Sequence, residues 1–186
     1  MPAVIVLGID PGSRRCGFGV VARQDGRLRV LESGVLVPGE RPMAERLGLI
    51  LTGLELVIAR ARPEEVAVEQ VFSGASPRSA LVLGQARGVA LAVAARAGLP
   101  VHEYAPSAVK LAFTGSGRAD KDQMIRTACA LLGVTASLSD EADAIALAVC
   151  HLARRRFAAP ATTRRATAAR ALSRLRPARR DHRSAH

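Results

Sequence analysis

With 186 residues, 49% of them apolar, the chain has the size and composition of one domain built around a single core. Its net charge of +11 points toward a polyanionic partner, but Cys16, Cys129 and Cys150 are too few and too widely spaced for a disulfide framework or a cysteine zinc site, and predict reduced thiols packed as small apolar residues. No apolar run approaches the roughly 20 residues that span a bilayer, and no basic segment precedes the first one, so a soluble cytoplasmic protein is expected.

The first element is the apolar run Val4-Ile5-Val6-Leu7-Gly8-Ile9, ended by Asp10 and followed by Pro11-Gly12-Ser13. A Val/Ile/Leu run bounded by Pro-Gly reads as a buried strand, which puts the Asp10 carboxylate where strand becomes loop. There it either opens an Asx-turn or pairs with a metal ion or a basic group that offsets its desolvation. Gly17-Phe18-Gly19-Val20-Val21-Ala22 and residues 28–36 read as two more strands, with Asp25-Gly26 between them as a hairpin signal. Met43, Leu47, Ile50, Leu51, Leu54 and Ile58 then recur at helical spacing until Pro63, and Val66-Ala67-Val68-Glu69 returns as a short buried strand.

Residues 78–96 form a long helix with little polar face, expected to be largely buried and in part available for a dimer contact. A fifth strand at 101–104, a short helix at 106–113, a helix at 120–132 and a last helix from Ser139 to about Phe157 complete the order. Three antiparallel strands followed by strands separated by helices predict an α/β fold with a five-stranded mixed sheet, three antiparallel then two parallel strands, flanked by helices. Asp10 and Glu69 then both lie at carboxyl ends of neighbouring parallel strands, where the two carboxylates can meet.

Beyond the last helix the composition shifts. Residues 154–186 carry 11 Arg against Asp181 alone, whereas residues 1–153 hold 16 basic and 15 acidic groups, so the charge excess sits in the tail. Residues 1–157 therefore read as the folded domain and 158–186 as a basic, disordered arm. Such an arm would attract phosphates without reading sequence, although simple compositional drift would leave the same residues.

Asp140-Glu141-Ala142-Asp143 opens the final helix. At about 100° per residue, Asp140 and Asp143 lie about 60° apart on one face while Glu141 points elsewhere. Acids in a first helical turn also serve as cap and as complement to the macrodipole. Taken together, Asp10, Glu69, Asp140 and Asp143 are four carboxylates able to converge, a hard oxygen set suited to Mg²⁺ or Mn²⁺, with no His/Cys cluster competing for zinc. Two such ions about 4 Å apart would activate a water and stabilise the leaving oxygen of a phosphodiester. Lys110 and Lys121, the only lysines in the chain, fall between the fifth strand and the acidic helix, where each could hold a scissile phosphate or simply aid solubility.

These residues resemble the RuvC family of Holliday junction resolvases, within the ribonuclease H-like superfamily. The resemblance runs through Gly8-Ile9-Asp10-Pro11-Gly12-Ser13-Arg14, Glu69-Gln70-Val71-Phe72, Leu83-Gly84-Gln85-Ala86-Arg87-Gly88-Val89 and Asp140-Glu141-Ala142-Asp143-Ala144, in order, and covers roughly residues 3–156. It implies a ribonuclease H-like fold and a homodimer that binds four-way junction DNA and nicks two opposing strands symmetrically. It implies a two-metal Mg²⁺ site at Asp10, Glu69, Asp140 and Asp143, supported by Lys110 and Lys121. DNA contacts are implied at Phe72, Arg78 and Arg14 as well as the two lysines, and the branch-migration proteins RuvA and RuvB as partners. Phe72 matches an aromatic used at the junction centre, where a base could stack on it, although a core Phe is the alternative.

Two positions depart from the family pattern: Ala75-Ser76 stand where a Lys-Asn pair is common, and Phe18 stands where Tyr is common. Three rival readings remain. An actin-like ATPase shares the opening strand and loop but needs two lobes. A junction-binding module without cleavage would keep the same surfaces, and a ribonuclease H-like nuclease acting on hybrids differs only in substrate.

Overall fold

β1 (Val4–Asp10), the apolar run that opens the chain, is the middle strand of a five-stranded sheet in the order β3-β2-β1-β4-β5. In the computed structural model, which describes residues 3–70, 76–133 and 139–155, β2 (Cys16–Gln24) runs antiparallel to β1, and β3 (Arg27–Leu36) antiparallel to β2. β4 (Glu65–Glu69) pairs parallel with β1, and β5 (Val101–Tyr104) parallel with β4. The hairpin between β2 and β3 turns at Asp25 and Gly26, both with positive φ, as a tight two-residue connection needs. The expected mixed sheet is the one observed. β3 is an edge strand whose burial alternates, with Arg27, Arg29 and Leu31 exposed between half-buried neighbours.

Side chains alternate across the sheet and divide the core in two. Leu7, Ile9, Val20, Val66 and Val68 pack toward α1 (Met43–Ala61) and α2 (Pro77–Arg96). Val6, Val21, Ala67 and Tyr104 pack on the other face with α3 (Pro106–Thr114), α4 (Lys121–Leu132) and α5 (Ser139–Arg155). Asp10 and Glu69 share the second face, because each lies an even number of residues from Val6 or Ala67 in its strand.

α5 crosses the middle of that face, and its residues from Ala144 to Leu152 are all buried. It comes down on β1 and β2 at glycines. A Cβ placed on Gly8 would lie 1.9 Å from the Ala144 carbonyl oxygen, and one on Gly17 would lie 2.0 Å from that of Asp140. Helix backbone rests directly on sheet backbone here, so no side chain of any size fits between. The helix starts over the carboxyl end of β1 and runs back along it, which brings Asp140 and Asp143 to Asp10.

Two sequence expectations need correction. α2 is not buried all round: Ala86, Ala90, Val93 and Ala94 are its only buried residues, and Leu81 is 67% exposed. Its inward face is made of small residues, and the sheet face it meets is already shared with α1. Cys16 and Cys150 are buried as expected, but Cys129 on α4 is exposed. Among the described residues, no helix is long and apolar enough to cross a membrane.

Because the Cβ of an alanine at position 8 collides with main chain rather than with a side chain that could rotate away, Gly8→Ala should cost about 1–3 kcal/mol or more in urea unfolding. A change within experimental error would show that α5 has room to lift.

Candidate active site

Asp10 ends β1, Glu69 ends β4, and the first five residues of α5 supply Asp140 and Asp143. The structure brings all four carboxyls into one electrostatic cluster. Burial, followed by the charges of Glu69, Asp143 and Asp140, pushes the Asp10 carboxyl from 3.8 up to about 8, with a hydrogen bond to Glu69 adding to the rise. Burial and Asp143 likewise raise Glu69, while its hydrogen bond to Asp10 and the Lys110 ammonium pull the other way. Asp143 is raised by burial, with Lys110 acting against that rise, Asp140 adding to it and Lys121 opposing it more weakly.

Both lysines thus stand beside the acids. Lys110 projects from the middle of α3, and Lys121 begins α4, whose Asp120 side chain caps the helix by accepting from the Gln123 N–H at 2.7 Å. Asp140 lies beside a cation as well, with Arg15 Nη1 3.9 Å from its Oδ2. Glu141 turns away from the cluster, as its helical position predicts, and accepts a hydrogen bond from the Ser33 hydroxyl at 2.7 Å. Its role is to tie α5 to β3.

Arg87, from the glycine-rich stretch of α2, fixes the end of β4. Its Nε–H donates to the Glu69 carbonyl oxygen at 3.4 Å, while Nη2 lies 2.6 Å from Glu103 Oε2 on β5. One guanidinium so holds the tips of two parallel strands in register beneath the acidic cluster. Arg87 lies in the motif at residues 83–89, where nothing in the local residues announces this task.

Beside the acids, Gly12, Ser13, Arg14, Arg15, Arg78 and Asp140 contribute to the walls of an open cleft of about 580 Å³. Arg78 reaches it from the first turn of α2, where the Ser76 hydroxyl accepts from the Ser79 N–H. A second cleft of about 570 Å³ shares Arg14 and adds Arg41 and Arg46, so a basic surface leads away from the carboxylates. Phe72 and the tail 158–186 lie outside the described residues, as does the end of the last predicted helix. Phe18, at the position where Tyr is common, is buried against Gly34.

The expectation that no His/Cys cluster competes for zinc does not foresee a mixed group of one carboxylate and two imidazoles. Glu65, His102 and His151 place three ligand atoms within 4.8 Å of one another, a group able to hold a metal ion, at the opposite end of β4 from Glu69. The three residues lie on different elements, so no sequence spacing announced them.

The family model described as "Crossover junction endodeoxyribonuclease RuvC" matches residues 6–151. The chain belongs to the RuvC family. A curated family member from Anaeromyxobacter sp. (strain K) is 76% identical over 182 residues, covering 97% of this chain and 98% of the relative, and one from Anaeromyxobacter sp. (strain Fw109-5) is 66% identical with the same coverage. Among solved structures, T. thermophilus RuvC in complex with a Holliday junction substrate superposes with a TM-score of 0.76 at 37% identity, covering 83% of this chain and 96% of that one. The yeast mitochondrial Holliday junction resolvase, at 16% identity and a TM-score of 0.57, shares the fold.

The raised carboxyls bind protons in the folded chain at pH values where the unfolded chain has released them, so without a cation the fold loses stability as pH rises from about 4 toward 8. Asp10→Asn removes the largest part of that penalty. In EDTA the variant should melt at a higher temperature than the parent at pH 8, with the gain shrinking toward pH 4; a gain that grows on acidification would contradict the assignment.

Proposed function

We propose that this chain is a structure-specific endodeoxyribonuclease that resolves Holliday junctions by nicking two opposing strands, in recombination and repair of DNA in the cytoplasm. The observation that carries the reading is the convergence of Asp10, Glu69, Asp140 and Asp143 at the carboxyl edge of the sheet, beside a cleft lined by arginines. The likeness to a relative solved with a Holliday junction supports the choice of substrate.

The donor set fits a hard divalent cation. It is made of carboxylate oxygens only, and burial, with the charges of Glu69, Asp143 and Asp140 adding to it, pushes the Asp10 carboxyl up to about 8, a strain that a divalent cation would relieve. Asp10, Glu69, Asp140 and Asp143 would hold Mg²⁺, two ions per site, with Mn²⁺ as a substitute. When bound, such ions supply an activated water and charge stabilisation at the leaving oxygen of a phosphodiester.

The remaining residues position the substrate. Lys110 and Lys121 offset carboxylate charge and present ammonium groups to a phosphate that enters the cluster. Arg14 and Arg78, with Arg15 between the cleft and Asp140, engage the backbone of the strand through contacts that position it without reading sequence. Phe72 follows β4 closely enough in sequence to reach a base at the junction centre and stack on it. Symmetric nicking calls for a homodimer, and the exposed leucines Leu49 and Leu56 of α1 and Leu81 of α2 provide apolar surface for a second copy. RuvA and RuvB are the partners that fit a resolvase of this family, and the tail 158–186 would add a salt-sensitive attraction for DNA.

Side-by-side assays in Mg²⁺ should show nicking of a synthetic four-way junction and little of a linear duplex or an RNA–DNA hybrid. Asp10→Asn should lower junction nicking by roughly 10²-fold or more while leaving junction binding in Ca²⁺ within a few-fold. Cleavage undiminished in that variant would refute the site, whereas binding with no cleavage by the parent would favour a junction-binding module. Ending the chain at Phe157 should weaken DNA binding most at low salt and flatten the dependence of log K on log salt; an unchanged slope would remove the tail from the account.

A further inference from the structure

Glu65 opens β4, His102 lies in β5, and His151 lies near the end of α5, so their cluster occupies the amino-terminal edge of the parallel strands. Along β4 it stands about 13 Å from Glu69. Nothing in the nuclease reading uses it. The three side chains face one point: Glu65 Oε2 lies 2.6 Å from His151 Nε2 and 3.0 Å from His102 Nε2, with the two imidazole rings 4.3 Å apart between centroids.

Each inner ligand is also held from behind. The Tyr104 hydroxyl lies 2.6 Å from Nδ1 of His151, the ring nitrogen facing away from the cluster. Arg155 Nε lies 3.0 Å from Glu65 Oε1, which orients the carboxylate and leaves Oε2 turned toward the histidines. Metal-binding imidazoles and carboxylates are supported by outer contacts of this kind. Burial draws the pKa of His151 down, with the hydrogen bond to Glu65 acting against it, and the neutral imidazole is the form that coordinates.

A plain hydrogen-bonded pair between His151 and Glu65 accounts for the first distance but not for the second. His102 is 42% exposed at its side chain, yet it turns its Nε2 onto the same carboxylate oxygen instead of into solvent.

We propose that Glu65, His102 and His151 form a binding site for one borderline transition-metal ion of the Zn²⁺ class, with a fourth position open to solvent beside His102. Ligand bonds of about 2.0–2.1 Å in tetrahedral geometry separate donor atoms by about 3.3 Å, so the observed gaps need to widen by only a few tenths of an ångström to somewhat more than half. The proton on His151 then resides on Nδ1 and donates to the Tyr104 hydroxyl oxygen. Two nitrogens and one oxygen favour Zn²⁺ over Mg²⁺, the reverse of the all-carboxylate cluster at the other end of the sheet. The ion would clip the carboxyl-terminal end of α5 to β4 and β5, at the opposite end of the helix from Asp140 and Asp143.

The test is a titration of the metal-stripped full-length chain with Zn²⁺ in millimolar Mg²⁺, read by calorimetry and, with Co²⁺ as probe, by the visible absorption of a tetrahedral ion. One equivalent per chain is expected to bind at micromolar concentration or below. His102→Ala, a change at a partly exposed position, should weaken binding about tenfold or more, and His151→Gln should do the same if it folds. Asp143→Asn and a double variant removing His182 and His186 should bind as the parent does. Failure of the parent to take up an equivalent, unaltered binding by His102→Ala, or loss of binding in Asp143→Asn would each overturn the proposal.

Discussion

The seating of α5 on the backbone of β1 and β2 is the contact on which the rest of the molecule depends. At Gly8 and Gly17 the helix lies so close that a single added carbon would meet a carbonyl oxygen. Such an approach sets the height and direction of the helix without any adjustable side chain in between. The long run of buried residues along α5 then fills the second core, and α3 and α4 pack around it. The acids at its start have no freedom to choose their distance from Asp10, because the glycines have chosen it.

That constraint explains how like charges can be gathered at all. Burying carboxyls is costly and their mutual repulsion adds to the cost, which the elevated proton affinity of Asp10 makes visible. A looser scaffold would relax by moving the acids apart. Here the four acids are divided among three parts of a rigid frame: Asp10 on a central strand, Glu69 on a neighbouring strand whose tip Arg87 holds, and Asp140 and Asp143 on a helix seated on the sheet. The free energy of packing is set against electrostatic strain, and a divalent cation would relieve that strain where it is greatest.

Much of this was legible in the residues because strong local signals agreed with the global fold. The Val/Ile/Leu run ended by Pro-Gly, the Asp-Gly hairpin and the Pro-bounded helix each specify an element, and right-handed crossovers then leave little freedom in strand order. Asp10 and Glu69 could be brought together on that basis alone. What failed depended on how space was shared. The apolar composition of α2 does not reveal that α1 occupies part of the same sheet face, so a helix that reads as largely buried leaves Leu81 exposed. Cys129 sits on the outer side of an amphipathic helix, a matter of phase that its composition conceals. Glu65, His102 and His151 were missed for a different reason: each is unremarkable in its own segment, and only the register of Ala67 with His102, together with the length of α5, brings them together.

The alternation along β3 has a consequence for how the protein lives in a crowded solution. As the long outer strand of the sheet, β3 offers main-chain groups that another extended chain could pair with. Arg27 and Arg29 stand exposed along it, and Glu32 is engaged by Arg60 at 2.5 Å, so an incoming strand meets charge instead of a bare apolar ribbon. Open-ended, fibre-like growth through this edge is therefore disfavoured, because an extended chain that paired here would have to desolvate those charges along the whole length of the strand.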